Sequence, residues 1–191
     1  QRESFLVYFR KIGERPRQTV YPPKAHMDMI DSIYKGCGID IQFSNKEPCQ
    51  ALGEEAQLDV SLDSGQNIGF LNIILSGKDL SHRVKHSLHS FKLAGMAIAC
   101  AHLNLSDPFT PSTCETLEEA GFFFGGILPG GTKEGSDVLF LNCLLGCAVH
   151  YDQIKIFGDQ AKSLFDYIQG LDPLSSQIIS SKVDGLKTRT A

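Results

Sequence analysis

No apolar run in these 191 residues approaches the length needed to cross a bilayer, so no membrane-spanning helix is expected. Positive charge is also short. The 18 Lys and Arg stand against 22 Asp and Glu, and the net charge of −4 argues against a nucleic-acid surface, which shows as a basic patch. The expected partners therefore include neither membrane nor nucleic acid. No Gly-x-Ser-x-Gly or Cys/His nucleophile pattern occurs. There is no internal repeat, no low-complexity tract and no legible signal peptide. The six cysteines, Cys37, Cys49, Cys100, Cys114, Cys143 and Cys147, are spread through a chain too long for a small disulfide scaffold, and several lie in apolar strand candidates. They read as reduced, buried thiols of a cytoplasmic protein. A chain of this length buries roughly 70% of the surface its unfolded form exposes and needs no staple to fold. It opens on Gln1, with Phe5-Leu6-Val7 close behind, which leads us to expect a fragment of a longer chain.

What is present is organised around Ser112–Leu145. A short polar helix candidate ends at Gly121, and an apolar strand, Phe122–Leu128, follows at once. Pro129-Gly130-Gly131 breaks it, a polar loop follows, and a second strand runs from Val138 to Leu145. Upstream, Ser4–Lys11 reads as a first strand, and the prolines in Thr19–Pro23 forbid a helix. Lys24–Lys35 carries Met27, Ile30 and Tyr34 at helical spacing and ends at Gly36 and Gly38. Asp40–Ser44 is a short strand. Ala56–Leu62 alternates as a half-buried strand, and the turn Ser64–Asn67 leads into a more apolar one, Ile68–Leu75, making a hairpin. A helix over Leu80–Leu93 presents Leu80, Val84, Leu88 and Phe91 on one stripe, with Asp79 and Ser81 as candidate caps. Met96–Leu105 is a strand, and Asp107-Pro108 and Pro111 mark a loop. Ile154 and Ile156 are strand-like, and Asp159–Gln169 is a helix. The expectation is an α+β chain with one mostly antiparallel sheet, a single domain over 1–170 and a loosely packed tail over 171–191. The strand–helix–strand step from Ile68 to Ile98 places two parallel strands side by side.

Four constellations carry chemistry. The turn Leu75-Ser76-Gly77-Lys78-Asp79-Leu80-Ser81 opens a helix, whose free N–H groups suit an anion, and Lys78 adds a cation. Against that, one glycine is not a phosphate loop and Asp79 repels an anion, so a plain connection is the competing reading. His82, His86 and His89 share a helix face opposite the apolar stripe, which reads as solvated. Cys143-x3-Cys147 with His150 lacks a second ligand pair, and Cys143 alternates with Leu139, Leu141 and Leu145, so it reads as core. No bound metal is expected, at these places or elsewhere in the chain. His102 shares a strand face with Ile98, Cys100 and Asn104 and is either a general base or a hydrogen-bonded structural residue.

The stretch Ser112–Leu145, with the pair Gly121-Phe122 opening a hairpin strand after a short helix, resembles the second half of the GNAT (GCN5-related) N-acetyltransferases, and the element order matches over Ser4–Leu145. A narrower resemblance is to the GNAT-like C-terminal half of some larger bacterial proteins, through Thr19-Val20-Tyr21-Pro22, His26, Ile33-Tyr34 and Gly121–Gly130. The resemblance implies a mixed, mostly antiparallel sheet with helices on both faces. It also implies acetyl-CoA or coenzyme A as cofactor, held at Ile74, Leu75, Ser76, Gly77, Lys78 and Ser81. A small-molecule amine, or a partner domain of the same longer chain, would be the partner. Backbone N–H groups near Ile74 and Leu75 would hold the acyl carbonyl oxygen, and His102 or Asp59 would be the base. The chain departs from the family at three positions. Of the phosphate-binding signature only Gly77 remains, the usual Tyr general acid is Leu117, and the Asn often found earlier falls near Thr110. Two readings follow: an acyl-CoA-dependent N-acyltransferase with eroded coenzyme and acid positions, and a catalytically silent interaction or metabolite-sensing module. An unrelated α+β binding domain is the third.

Overall fold

The computed structural model describes residues 16–46, 48 and 50–175. The strand candidate Ser4–Lys11 lies outside them. The first described element is β1, Gln18–Val20, in the segment the prolines had marked only as non-helical. A 3-10 turn, Lys24–His26, leads into α1, Met27–Gly36, which buries Ile30 and Tyr34 as their spacing requires. Gly38 takes φ +65, a left-handed conformation open to glycine, and turns the chain into β2, Ile41–Phe43. β1 and β2 pair in parallel as a two-stranded sheet of their own, separate from the main one.

The main sheet is built from β3 (Gln57–Asp63), β4 (Ile68–Leu75), β5 (Ile98–Asn104), β6 (Phe123–Leu128) and β7 (Val138–Leu144) in the order β3-β4-β5-β7-β6. Only β4 and β5 run parallel. Between them lies α2 (Leu80–Leu93), while α3 (Thr110–Glu119) links β5 to β6 and α4 (Asp159–Leu171) follows β7. Helices thus flank a mostly antiparallel mixed sheet.

Alternation along the central strands makes the core. Leu71 of β4, Ala99, Ala101 and Leu103 of β5 and Leu139, Leu141 and Cys143 of β7 are all buried, and α2 sets Leu80, Val84, Leu88 and Phe91 in the same cluster. Burying each of the larger side chains contributes about 1.5–3 kcal/mol. Gly69 permits the approach of α2, because a Cβ there would stand 2.6 Å from the Phe91 ring. Cys143, as its alternation indicated, faces this core.

Four local expectations are corrected. β3 is not half-buried along its length: Val60 and Leu62 are 46% and 50% exposed, and among the described residues β3 is the edge of the sheet. Only its Leu58–Val60 end is flanked by α2, across a groove of about 420 Å³ lined also by Asp79, His82, Arg83, His86 and Ser87. α3 starts at Thr110, inside the stretch read as loop, and Pro111 stands in its first turn, where a missing N–H costs nothing. Ile154 and Ile156 form no strand. A 3-10 turn, Tyr151–Gln153, precedes an irregular segment there, and two alternating residues with no adjoining strand have nothing to pair with. The last helix, α4, ends at Leu171 rather than near Gln169, and buried Asp172 just after it accepts hydrogen bonds from the Tyr151 hydroxyl (3.0 Å) and the Leu174 amide (2.9 Å). Residues 176–191 lie outside those described.

Candidate functional site

The parallel ladder between β4 and β5 runs from Ile68↔Ile98 to Asn72↔His102 and stops there, although β4 continues through Leu75 and β5 through Asn104. The strands part at this point. On its other side β4 pairs Ile73 with Leu58 but Leu75 with Gln57, so Ile74 is an extra, bulged residue. Ile74 has no cross-strand partner in either ladder. A bulge of this kind leaves main-chain groups unpaired and re-aims the strand. The parting of the strands and the bulge together leave Ile74 outside both ladders, while Leu75 pairs with Gln57 of β3.

Where β4 and β5 part lie both candidate bases, joined by Asn72, which no motif in the sequence marks. His102 Nδ1 is 2.6 Å from Asn72 Oδ1, and Asn72 Nδ2 donates to Asp59 Oδ2 at 3.4 Å, crossing β5, β4 and β3. Asn72 was legible in principle as the only polar side chain in Ile68–Leu75. An amide oxygen only accepts, so the His102 proton sits on Nδ1 and the Nε2 lone pair is left basic. Nε2 stands 3.6 Å from Cys100 Sγ. Burial pushes the Cys100 thiol up to about 12, which keeps it a thiol rather than a nucleophilic thiolate. Phe70 and Phe140 pack their rings against His102, at 5.7 and 4.6 Å between centroids.

Burial lowers the pKa of His102 below the ordinary 6.5. Since the unfolded chain then takes up the proton at higher pH than the folded chain, this group contributes stability above about 6.5 that is lost as pH falls through its folded value. Urea titrations at pH 8, 6.5 and 5 are expected to show the wild-type chain losing more stability on acidification than His102→Gln, which keeps a donor for Asn72 but does not titrate. Parallel pH profiles for the two proteins would remove His102 as the source.

The turn after β4 is filled by the protein itself. Lys78 N donates to Gly53 O at 2.9 Å and Asp79 N to Glu54 O at 3.3 Å. Ala56 N donates to Asp79 Oδ1 at 2.6 Å, so Asp79 binds the 53–56 loop rather than capping its own helix. Gly77 is required by this docking: a Cβ there would run into the Ala56 amide nitrogen and the Glu55 carbonyl carbon. The two cations are taken as well. Lys78 Nζ lies 2.5 Å from Glu54 Oε1, and Arg83 Nε lies 2.5 Å from Asp79 Oδ2 with Glu55 at 3.9 Å from the same guanidinium. The Arg83 hydrogen bond, with that of the Ala56 amide, holds the Asp79 carboxyl below its usual range. Ser76 Oγ is 2.5 Å from Thr113 Oγ1, which ties the turn to α3. Ser81 is the second residue of α2.

The remaining family positions are structural here. Leu117 is fully buried, its carbonyl accepts from Phe122 N at 3.1 Å, and Thr110 Oγ1 donates to Asn104 O at 2.6 Å. His82, His86 and His89 are exposed, with the first two lining the α2–β3 groove.

A sheet of order β3-β4-β5-β7-β6, with one parallel pair that parts beside a bulge and a hairpin opened by Gly121-Phe122, is the GNAT-like fold. No family model matches the chain, and no curated protein matches it in sequence. Solved structures do. A nourseothricin acetyltransferase is 12% identical over 47% of this chain and 57% of its own, at a TM-score of 0.39. A chimera of the spermidine N-acetyltransferase SpeG from Vibrio cholerae and hSSAT is 16% identical over 47% of this chain and 59% of its own, at 0.40. The ribosomal-protein-S18-alanine N-acetyltransferase from Escherichia coli is 14% identical over 53% and 66%, at 0.36. The chain spans less than two thirds of the length of each. Among the described residues no helix is long and apolar enough to cross a membrane.

Proposed function

We propose that this is a GNAT-like domain that retains the cleft of an acyl-CoA-dependent N-acyltransferase while its phosphate seat is occupied by its own chain. On this reading it acts as a catalytically silent interaction or metabolite-sensing module of a longer, cytoplasmic regulatory protein. The observation that carries the reading is the pairing of the Lys78 and Asp79 amides with the Gly53 and Glu54 carbonyls. A pyrophosphate would need those donors, would have to displace the 53–56 loop, and would meet the carboxylates of Glu54, Glu55 and Asp79. The buried Leu117 has no proton to give a leaving thiolate.

One observation supports the enzymatic reading. The Asp59–Asn72–His102 chain leaves a basic Nε2 at the fork of a cleft with bulged backbone, as general-base transfer from acetyl-CoA to a small amine requires. In that reading Ile74, Leu75, Ser76, Gly77, Lys78 and Ser81 hold the coenzyme once the loop has moved.

Calorimetric titration with coenzyme A, beside thiol release from acetyl-CoA with polyamines, amino acids and aminoglycosides, separates the two. The silent module is expected to bind coenzyme A no tighter than about 1 mM, roughly 4 kcal/mol of binding, and to release no thiol above the blank. Micromolar binding with turnover near about one per second, abolished by Ser81→Glu and lowered about 10²–10⁴-fold by His102→Ala, would establish the enzyme instead.

A further inference from the structure

His26 is almost wholly buried, yet both ring nitrogens are engaged. Nδ1 lies 2.7 Å from the Tyr167 hydroxyl and Nε2 lies 2.5 Å from Glu118 Oε1. The hydroxyl has one proton, and the Ala25 carbonyl, 3.1 Å away, can only accept it. Both contacts are satisfied when Tyr167 donates to Ala25 and accepts from His26 Nδ1–H. The Nε2 lone pair then points straight at a carboxylate oxygen. At 2.5 Å a proton fits between the two, and a metal ion takes its place only when the carboxylate draws back.

A third ligand atom stands at the same place. Cys114 lies one turn before Glu118 on α3, so both side chains leave the same helix face. Cys114 Sγ, a His26 ring nitrogen and a Glu118 oxygen all lie within 4.8 Å of one another, and no other group of three such residues is so placed among the described residues. Around a tetrahedral zinc, with bonds of about 2.0–2.3 Å, ligand atoms stand roughly 3.2–3.7 Å apart. The His26–Glu118 pair reaches that spacing if the carboxylate withdraws by under about 1 Å, and Cys114 Sγ, within 4.8 Å of both, closes on the ion by a side-chain adjustment. Glu118 is free to withdraw because its side chain is 30% exposed. The Phe124 ring, 5.0 Å from that of His26, keeps the inner side dry.

We propose that His26 Nε2, Cys114 Sγ and the Glu118 carboxylate form a site for one divalent transition-metal ion of the zinc class. The fourth position opens on the Glu118 side and takes water, and Tyr167 orients the imidazole from behind, as outer partners of metal-bound histidines do. Three unlike donors, one soft, one borderline and one hard, suit zinc and exclude magnesium and calcium, which take oxygen. Burial, with the charges of Glu118 and Glu115, holds the Cys114 thiol well above its ordinary range, so metal uptake releases its proton to solvent. The site ties the Lys24–His26 turn, α3 and α4 together, and it needs no coenzyme. The sequence alone led to the opposite expectation, because a Cys-x3-Glu spacing is common and the histidine comes from a distant turn.

The test is titration of the chelator-stripped chain with Zn²⁺, followed by thermal unfolding, and with Co²⁺, followed by absorbance. One equivalent per chain is expected, with a midpoint that rises with zinc concentration. Cobalt should give a near-ultraviolet thiolate charge-transfer band. Cys114→Ser should abolish the band. Glu118→Gln, whose amide can donate to the Nε2 lone pair and so preserve the metal-free fold, should weaken binding at least about 100-fold, and Tyr167→Phe about 10–100-fold. His82→Ala/His86→Ala, which removes the exposed histidine pair, should change nothing. Absence of saturable binding would leave a proton between His26 and Glu118 and overturn the proposal. So would a zinc-induced shift that survives both Cys114→Ser and Glu118→Gln, or one that disappears with the exposed pair.

Discussion

Replacing Asp137 by alanine is expected to lower the free energy of unfolding by about 3 kcal/mol, about 1–3 kcal/mol for one donor stranded in the core and about 1 kcal/mol for a second, part-buried hydrogen bond. Asp137 is fully buried at the foot of the β6–β7 hairpin. Its Oδ2 accepts from the Tyr34 hydroxyl at 2.8 Å, its Oδ1 accepts from Gly130 N at 2.7 Å, and its own carbonyl accepts from Leu105 N at 2.9 Å. One side chain therefore joins α1, the hairpin loop and, through its backbone, the end of β5. Alanine removes both carboxylate acceptors, which strands the Tyr34 hydroxyl in the core and leaves the Gly130 amide, on an exposed residue, to water. Asparagine keeps one acceptor and turns an N–H₂ toward the other donor, so its cost should be smaller than that of alanine. Tyr34→Phe should cost about 1–2 kcal/mol. Urea unfolding measured by far-ultraviolet circular dichroism gives all three values. Equal costs for Asp137→Ala and Asp137→Asn would mean that the two hydrogen bonds do not act as described.

Leu117→Ala is expected to cost about 3 kcal/mol, the usual range for a leucine truncated in a closed core being about 2–5 kcal/mol. The position is of functional interest because the GNAT resemblance places a proton donor there. Leu117 is fully buried, packed in the same cluster as Cys114 and Phe124. A donor introduced there as Leu117→Tyr would not simply reinstate acyl transfer. Its ring must first displace core side chains, at a cost of about 1–3 kcal/mol, and its hydroxyl starts in the core rather than in the cleft. The same thiol-release assay should find Leu117→Tyr no more active than the parent chain. Activity gained by that single change would place residue 117 on the cleft wall and overturn its assignment to the core.

Several elements were legible from periodicity because their burial is one-sided and local. The stripe Leu80, Val84, Leu88 and Phe91 marked α2, and Ile68–Leu75 marked β4 with the same bounds the structure gives. The Pro-Gly-Gly break and Gly121-Phe122 set the hairpin of β6 and β7, since a turn is encoded by the few residues that make it. The strand–helix–strand step was enough to make β4 and β5 parallel neighbours, because only one hand of that connection packs well. Chain order could not show that β1 and β2 form a separate pair, or that Val60 and Leu62 of β3, the edge among the described strands, are exposed, because both depend on what lies alongside.

For the candidate site the division is sharper. His102 and Asp59 stood out as residue types, but only the cross-strand register placed Asn72 between them and thereby left Nε2 as the basic nitrogen. The Ser76–Ser81 turn was visible as a helix start with one glycine. Its occupation by the Gly53 and Glu54 carbonyls was not, since a hydrogen-bond partner more than twenty residues away leaves no mark on local spacing. The same holds for His26, which the sequence offered as one letter of a resemblance. Its meeting with Cys114, Glu118 and Tyr167 was decided by the packing of a 3-10 turn, α3 and α4 around one imidazole. Local burial patterns determine which segments become helix and strand, whereas the long-range pairing of polar atoms, on which the chemistry depends, exists only once those segments are packed.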